Sequence, residues 1–385
     1  MKRLGWIWVV CCLLIGMFPL GAHAAALEVA GKSAVLMEAA TGTVLYESNA
    51  HEPLAPASVT KVMTMLLIME AIDSGKIGWE DSVSASEAAA AKGGSQIYLK
   101  VGETMTVTDM VKSIAVSSAN DCACAMAEHL MGSEAAFVEQ MNKRAKELGM
   151  NDTTFVNCTG LDDAPDAANH KTSAFDIALM SRQLLKNHPD IKKFTTIWMD
   201  TVRDGAFGLA NTNKMVRFYS GCTGLKTGFT SGAGYCLSAS AQRDGMELIA
   251  VVMGASTSQE RFAACKSMLD YGFANFALYQ PALQEESAVP VVLGKTEKIR
   301  AVSVEQTELL VEKGRLSSMT AQVMLEESVT APVSCGQRLG TLVIKSGEEI
   351  LSEIPLVAET AVERKSWGDL FVELLRHVAM AKPAE

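Results

Sequence analysis

The stretch Pro56-Ala57-Ser58-Val59-Thr60-Lys61, followed by Val62-Met63-Thr64-Met65-Leu66-Leu67-Ile68-Met69, decides the fold of this 385-residue chain. Lys61 is the only charged residue from Val59 to Met69, and a run this apolar is typical of a helix buried in a globular core. Proline disfavours a helical conformation for the residue before it, so we expect the helix to begin near Ser58. Gly75 supplies a stop signal.

Ser58 and Lys61 are three residues apart, so on a helix they share one face. A serine hydroxyl becomes a strong nucleophile only when a base takes its proton, and a lysine can be that base only when it is neutral. The positive end of the helix dipole and burial among apolar residues both lower the pKa of a lysine placed here. The alternative is a serine that caps the helix and a lysine that reaches water.

Residues 1–24 have the pattern of a secretory signal peptide. Lys2 and Arg3 precede an apolar stretch, and Ala22-His23-Ala24 fits a cleavage site. The alternative is a membrane anchor, although the apolar stretch is short for a span and no stop-transfer pattern follows it. Removing the leader changes the formal net charge from −10 to −12, and so acidic a protein without a basic stripe is a poor binder of nucleic acid.

Seven of the nine cysteines lie beyond the leader, and this odd number leaves at least one thiol free or paired with another molecule. Their spacing contains no metal-binding motif. We expect most of them to be small buried apolar residues: Cys122, Cys124, Cys158, Cys222, Cys236, Cys265 and Cys335.

Residues 25–280 carry the signals of an α/β domain, in which helices flank an antiparallel sheet and a helical lobe is inserted. Residues 33–46 read as a hairpin, and residues 83–165 as a mostly helical insert. Other helices are expected at 86–91, 107–131, 135–148, 172–186 and 259–278, and strands at 221–228, 233–241 and 246–253.

The remainder predicts a linker at 281–290, a small all-β domain within 286–362 and an amphipathic helix at 364–380. In the helix, apolar residues recur at helical spacing, and charged residues fall on the opposite face. The apolar positions are Trp367, Leu370, Phe371, Leu374, Leu375 and Val378, and the charged ones are Asp369, Glu373 and Arg376. Such a helix either docks on the protein or lies on a membrane surface.

Two further motifs stand in the first domain. Ser118-Ala119-Asn120 is the only S-x-N in the chain, and it could face Lys61 across a cleft or simply cap a helix. Lys226-Thr227-Gly228 combines a glycine that permits close backbone approach with two side chains that can bind a carboxylate, or it is an exposed strand beside a turn. Lys345-Ser346-Gly347 has a similar pattern, but it precedes two glutamates in the second domain, and we interpret it as a hairpin turn.

The set S-x-x-K, S-x-N and K-T-G, in this order, is the mark of penicillin-binding proteins and class A β-lactamases. The chain resembles the low-molecular-mass D-alanyl-D-alanine carboxypeptidases of the penicillin-binding protein 5 type, the peptidase S11 family. The likeness covers nearly the whole chain. It includes Leu99 to Gly102, Gly132 to Glu134, Met141-Asn142, Leu148 to Met150, Gly160-Leu161, His170 to Ala174 and Asp176.

This resemblance implies a β-lactamase/transpeptidase-like domain with a helical insert, then a β-sandwich domain and a C-terminal helix on the membrane surface. The enzyme is then exported to the outer face of the cytoplasmic membrane, in the cell envelope. Two residues depart from the family's pattern. Ala119 stands where many relatives have glycine, and Phe229 where some have histidine.

The resemblance also implies the roles of the site residues. Ser58 is the nucleophile, Lys61 the general base and Ser118 a proton relay with Lys226. Asn120 and Thr227, beside Gly228, hold the peptide, and the backbone N–H groups of Ser58 and Phe229 form the oxyanion hole. The substrate is a peptidoglycan stem peptide ending in D-Ala-D-Ala, β-lactams are covalent inhibitors, and no metal or cofactor is required. A β-lactamase and a non-catalytic peptidoglycan-binding protein remain the alternatives.

Overall fold

The computed structural model describes residues 27–163, 166–281, 287–304 and 307–380. The predicted leader, residues 1–24, and residues 282–286 of the predicted linker lie outside these ranges. The first domain is built on a five-stranded antiparallel sheet of order β2-β1-β9-β8-β7. Its strands are β1 (Ser33–Glu38), β2 (Val44–Ser48), β7 (Cys222–Thr230), β8 (Gly234–Arg243) and β9 (Met246–Ala255).

Helices cover both faces of this sheet because the buried side chains of each strand alternate between them. Val35 and Val251 point to the face covered by α1 (Lys61–Asp73) and α6 (Ala174–Asn187). Leu36 and Ala250 point to the face covered by α9 (Ser258–Asn275). The predicted α/β layers are confirmed.

The helical insert packs on α1. It consists of α2 (Glu87–Ala90), α3 (Val107–Ser117), α4 (Asn120–Met131) and α5 (Glu134–Glu147). The prediction of one helix over 107–131 was wrong, because Ser118 adopts a left-handed φ of 62° and separates α3 from α4. Outside the insert proper are the one-turn helices α7 (Lys192–Thr195) and α8 (Met215–Phe218).

Two strand pairs at the insert were missed because each strand is only three or four residues long. They are β3 (Ser82–Ser84) with β4 (Thr104–Thr106), and β5 (Met199–Val202) with β6 (Phe207–Ala210). The predicted helix over 259–278 was too long. It ends at Asn275, and β10 (Phe276–Tyr279) pairs with residues 309–312 of the second domain, so tertiary pairing overrides the local pattern.

The second domain is all-β, as predicted. A six-stranded sheet of order β14-β16-β17-β12-β11-β15 shares a core with the β10–β13 pair. Its strands are β11 (Ala288–Val292), β12 (Lys298–Ser303), β13 (Leu309–Glu312), β14 (Met319–Leu325), β15 (Val329–Thr330), β16 (Arg338–Ser346) and β17 (Glu349–Ala358). The linker was predicted to reach residue 290, but strand pairing already begins at Ala288.

Helix α10 (Trp367–Met380) ends the described chain. Its first turn is capped by Ser366, whose hydroxyl accepts the N–H of Asp369, while the Asp369 carboxylate accepts the N–H of Ser366. The apolar side chains Trp367, Phe371 and Leu374 are 89%, 62% and 62% exposed. The described side chains of this helix therefore leave its apolar face uncovered.

The cysteine prediction is confirmed for most of the seven residues. All seven are free thiols. Cys222 is half-buried and Cys335 is exposed, while the remaining five are buried: Cys122, Cys124, Cys158, Cys236 and Cys265.

Candidate active site

The first turn of the nucleophile helix has an irregular backbone. Ala57–Thr60 forms a single 3-10 turn that runs directly into α1. Ala57 has a left-handed φ of 47°, which costs a non-glycine residue about 1–3 kcal/mol. The predicted helix start near Ser58 is confirmed, and the strained residue lies immediately before it.

Ser58 and Lys61 are brought together as the spacing predicts. The Lys61 Nζ lies 3.0 Å from the Ser58 Oγ and donates to the carbonyl oxygen of Thr159 at 2.8 Å. Lys61 is fully buried, whereas Ser58 is half-exposed. The alternative of a lysine that reaches water is therefore excluded.

Burial lowers the pKa of Lys61 to about 7, although the nearby Cys158 and Asp121 act in the opposite direction. At neutral pH a large fraction of this amine is uncharged. An uncharged amine within hydrogen-bond distance of a serine hydroxyl can act as its general base.

The loop that carries Thr159 was not assigned a role from the sequence. Asn157 organises it, because its side-chain oxygen accepts the N–H groups of Thr159 and Gly160 at 3.1 and 2.7 Å. A Cβ added to Gly160 would lie 1.8 Å from the Ala57 carbonyl oxygen. Only glycine therefore lets this loop approach the start of the helix closely enough to present the Thr159 carbonyl to Lys61.

The S-x-N motif occupies the break between α3 and α4. Ala119 is the N-cap of α4, and neither the Ser118 hydroxyl nor the Asn120 side chain caps that helix. Within the described part of the chain, the buried Ser118 Oγ and Asn120 Oδ1 have no hydrogen-bond partner. Buried polar atoms are normally paired, so these two atoms are available to a ligand.

Two backbone carbonyls hold Asn120 in place. Its side-chain Nδ2 donates to the Gly93 carbonyl at 2.7 Å, and its backbone N–H donates to the Ser95 carbonyl at 2.7 Å. The buried Asp121 carboxylate accepts the N–H groups of Ile97 and Leu99 at 3.1 and 3.0 Å. Asp121 therefore fixes the 93–99 loop beside the motif, a role that the sequence pattern did not reveal.

The K-T-G motif lies on β7, the edge strand of the sheet nearest the helix start. A Cβ on Gly228 would lie 2.6 Å from the Pro56 carbonyl oxygen and 3.1 Å from the Ser58 nitrogen. Glycine is therefore required here for the strand to approach the nucleophile, as the sequence indicated.

Lys226 is buried, with 1% of its surface exposed, which excludes the alternative of an exposed strand lysine. Its Nζ donates to the Thr227 carbonyl at 2.9 Å. Burial lowers the pKa of Lys226, and the charges of Lys61 and Arg261 lower it further. The two buried lysines repel each other, so the site disfavours the state in which both are protonated.

The other residues of the K-T-G segment contact neighbouring side chains. The Thr227 hydroxyl donates to the Thr212 hydroxyl at 2.7 Å. Arg261, which the sequence did not single out, donates from Nη1 to the Gly228 carbonyl at 2.8 Å. The ring of Phe229 is 53% exposed and lies 4.3 Å from the Tyr235 ring.

The Lys345-Ser346-Gly347 motif lies in the second domain, apart from these residues. Lys345 and Ser346 end β16, and Gly347, with φ of 58°, forms the turn into β17 of the second domain. The prediction of a hairpin turn is confirmed.

Comparison with known proteins finds a family model that matches each of the two domains. The family model described as D-alanyl-D-alanine carboxypeptidase, Peptidase S11, matches residues 21–257, and that of the penicillin-binding protein 5 C-terminal domain matches residues 278–364. The D-alanyl-D-alanine carboxypeptidase DacF of Bacillus subtilis (strain 168) is 46% identical over 339 residues, covering 86% of this chain and 86% of that protein.

Solved structures match at the level of the fold and the sequence. Penicillin binding protein 5 from Haemophilus influenzae has a TM-score of 0.73 and 30% identity, covering 88% of this chain and 98% of that one. Penicillin-binding protein D2 from Listeria monocytogenes in the ampicillin bound form has a TM-score of 0.59 and 32% identity, covering 64% and 99%. The first of these matches extends over both domains.

Proposed function

This chain belongs to the D-alanyl-D-alanine carboxypeptidase family, and from that membership we propose how Ser58 and the buried Lys61 carry out the reaction. The protein is a penicillin-binding, serine-type carboxypeptidase that removes the terminal D-alanine from peptidoglycan stem peptides. The observation that carries the mechanism is the Lys61 amine with a pKa of about 7, placed 3.0 Å from the Ser58 hydroxyl.

In the acylation step, neutral Lys61 accepts the Ser58 proton while Oγ attacks the carbonyl between the two D-alanines. The peptide C–N bond breaks, and the departing nitrogen must gain a proton. We assign the relay to Ser118 and Lys226. The unpaired Ser118 hydroxyl supports this assignment, since a relay needs a free hydroxyl in contact with the substrate.

The negative charge that forms on the carbonyl oxygen requires donors in fixed positions. We assign the backbone N–H groups of Ser58 and Phe229, and the close approach of Gly228 to the Ser58 nitrogen supports the pairing of these two segments. Asn120, whose Oδ1 is unpaired, and Thr227 are assigned to the peptide and its carboxylate. Water then releases the acyl group, and a β-lactam forms the same ester with Ser58.

The reaction is tested by incubating the purified protein with labelled penicillin and mapping the adduct by peptide mass spectrometry. We expect one penicilloyl group on Ser58, released slowly, and D-alanine released from a model stem peptide. Fast release of penicilloate without D-alanine release would instead indicate a β-lactamase. Absence of any adduct would leave only a peptidoglycan-binding protein.

The rate of acylation should depend on pH through Lys61. The amine acts as a base only when neutral, and its pKa is lowered to about 7. Below pH 7 the acylation rate should therefore fall about tenfold per pH unit, and above pH 8 it should reach a plateau. Stopped-flow acylation by a fluorescent penicillin between pH 5 and 9 measures this profile. A rate that stays constant down to pH 5 would contradict Lys61 as the base.

We further propose that the protein is exported and that α10 lies on the outer surface of the membrane. The exposed apolar side chains of Trp367, Phe371 and Leu374 support this arrangement, since burying them in a lipid interface is favourable. None of the described helices is long and apolar enough to cross a bilayer. A helix lying in the interface requires no such length.

The membrane arrangement is tested by co-sedimentation of the purified protein with phosphatidylcholine vesicles. Phe371→Glu should reduce the bound fraction about tenfold, because a charge replaces a ring that would be buried in the lipid interface. Val304→Glu, which changes another exposed apolar side chain (74% exposed) in the second domain, is the matched control. Equal binding by the two variants, or strong weakening of wild-type binding by salt alone, would contradict an interface formed by the apolar face.

A further inference from the structure

The peptide unit that joins Ala57 to Ser58 presents the Ala57 C=O group on one side and the Ser58 N–H group on the other. In a planar trans peptide the C=O of one residue and the N–H of the next point to opposite sides. The direction of the Ala57 carbonyl therefore fixes the direction of the Ser58 N–H. That N–H is the group to which the proposed function assigns half of the oxyanion hole.

The Ala57 carbonyl is held by a buried hydroxyl. Thr60 is fully buried, and its Oγ1 donates to the Ala57 oxygen at 2.9 Å. Threonine hydroxyls in helices often bond to a preceding carbonyl, so this contact alone would carry no inference. The Thr60 contact is unusual because Ala57 has a left-handed φ. The Ala57 carbonyl also lies against Gly160, where an added Cβ would collide with the carbonyl oxygen.

A buried histidine holds the hydroxyl in turn. His170, 3% exposed, places its Nε2 at 2.8 Å from the Thr60 Oγ1, while its Nδ1 accepts the Val156 N–H at 3.1 Å. A backbone N–H can only donate, so Nδ1 carries no proton and Nε2 carries one. The Nε2–H therefore donates to Thr60, which leaves the Thr60 proton directed at the Ala57 carbonyl.

His170 is neutral at neutral pH. Burial lowers its pKa to about 4; the Lys61 charge acts in the same direction, and Asp166 opposes them. A protonated ring would present an N–H to the Val156 N–H and lose that bond. The contact between His170 and Thr60 is thus maintained from mildly acidic to basic pH.

We propose that His170 and Thr60 are positioning residues of the oxyanion hole, which aim the Ser58 N–H through the Ala57 carbonyl. The inference rests on the proposed function, since it assumes that this N–H binds the developing oxyanion. Neither side chain touches the reacting atoms. Loss of the hydroxyl should therefore slow the chemical step and leave the initial, noncovalent binding of a β-lactam unchanged.

The test compares Thr60→Val with the wild-type protein in two measurements. Stopped-flow acylation by penicillin should show a rate constant about 10- to 100-fold lower, with an unchanged dissociation constant, because small displacements of reacting groups cost up to about 10²-fold. Infrared spectroscopy of the acyl-enzyme should show the ester carbonyl stretch at higher wavenumber, since weaker donors polarise the carbonyl less. A purely structural role for Thr60 would not move this band.

Conservative substitutions at the same two positions should preserve the acylation rate. Thr60→Ser and His170→Gln each keep a donor at the relevant position and should acylate near the wild-type rate, whereas His170→Leu should behave as Thr60→Val does. Ser181→Ala removes another buried hydroxyl of the domain, one that contacts Ser238 at 2.9 Å, and is the matched control. If Thr60→Val does not fold, as judged by thermal melting, the His170→Gln and His170→Leu pair decides the question.

Three results would overturn the proposal. One is a wild-type rate and carbonyl band in Thr60→Val and His170→Leu. Another is an equal slowing of acylation in Ser181→Ala. The third is a change confined to the dissociation constant. Failure of the wild-type protein to acylate at Ser58 is a separate outcome, which would refute the proposed function itself.

Discussion

Replacement of Ser58 by alanine should abolish both penicillin labelling and release of D-alanine. The substitution removes the only atom that we assign to bond formation with the substrate carbonyl. Loss of a serine nucleophile lowers turnover by a factor on the order of 10⁴–10⁶, with the residual rate coming from the oxyanion hole and binding. The measurements are incorporation of labelled penicillin and D-alanine release from a model stem peptide.

The control for this variant lies at the other end of the same helix. Ser74→Ala removes a hydroxyl that donates to the Ala71 carbonyl at 3.1 Å, and it should keep wild-type activity. Both variants should melt within a few degrees of the wild-type protein, because Lys61 still donates to Thr159 when the Ser58 hydroxyl is absent. A penicilloyl adduct on Ser58→Ala would place the nucleophile elsewhere.

Replacement of Lys61 by methionine should have the next largest effect. Without the amine, no group that we have identified can take the Ser58 proton, and general-base catalysis of this kind contributes about 10²–10⁴-fold. The acylation rate constant should fall by that factor, and the rise of rate through pH 7 should disappear. Measuring acylation at pH 9 over several hours distinguishes a slow reaction of Lys61→Met from the absence of any reaction.

The lysine variant also has a matched control. Lys76 donates to the Leu130 carbonyl at 2.8 Å, so Lys76→Met likewise removes an amine from a backbone acceptor, but remote from Ser58. Its acylation rate should equal that of the wild-type protein.

The pKa of Lys226 should rise in Lys61→Met, because the charge of Lys61 contributes to lowering it. Retention of the pH 7 transition in Lys61→Met would assign that transition to another group.

The local pattern was sufficient to predict that the Ser58 hydroxyl and the Lys61 amine lie close together. Three-residue spacing on a helix determines that Ser58 and Lys61 meet, whatever the rest of the chain does. The position of the K-T-G strand was harder to predict, because only Gly228 indicated that β7 passes close to another segment. That prediction succeeded because the space beside the Ser58 nitrogen admits no side chain.

The supporting groups could not be predicted in the same way. The acceptor for Lys61 is the backbone carbonyl of Thr159, 98 residues away, and a backbone carbonyl leaves no mark in a residue pattern. Arg261 and His170 act through long-range contacts with Gly228 and Thr60. The early end of α9 at Asn275 has a similar origin, since pairing with the second domain supplies the energy for β10.

The crowding at the start of α1 also limits how this enzyme can change under antibiotic pressure. Gly160 and Gly228 face the nucleophile segment from two sides with no room for a methyl group. Mutations at these positions would displace the peptide unit to which we assign half of the oxyanion hole, for the stem peptide and for a β-lactam alike. Variants that resist β-lactams and keep carboxypeptidase activity should therefore change open positions such as Phe229, which is 53% exposed. Selection of resistant clones would then enrich codons at the rim of the cleft, with the two glycine codons unchanged.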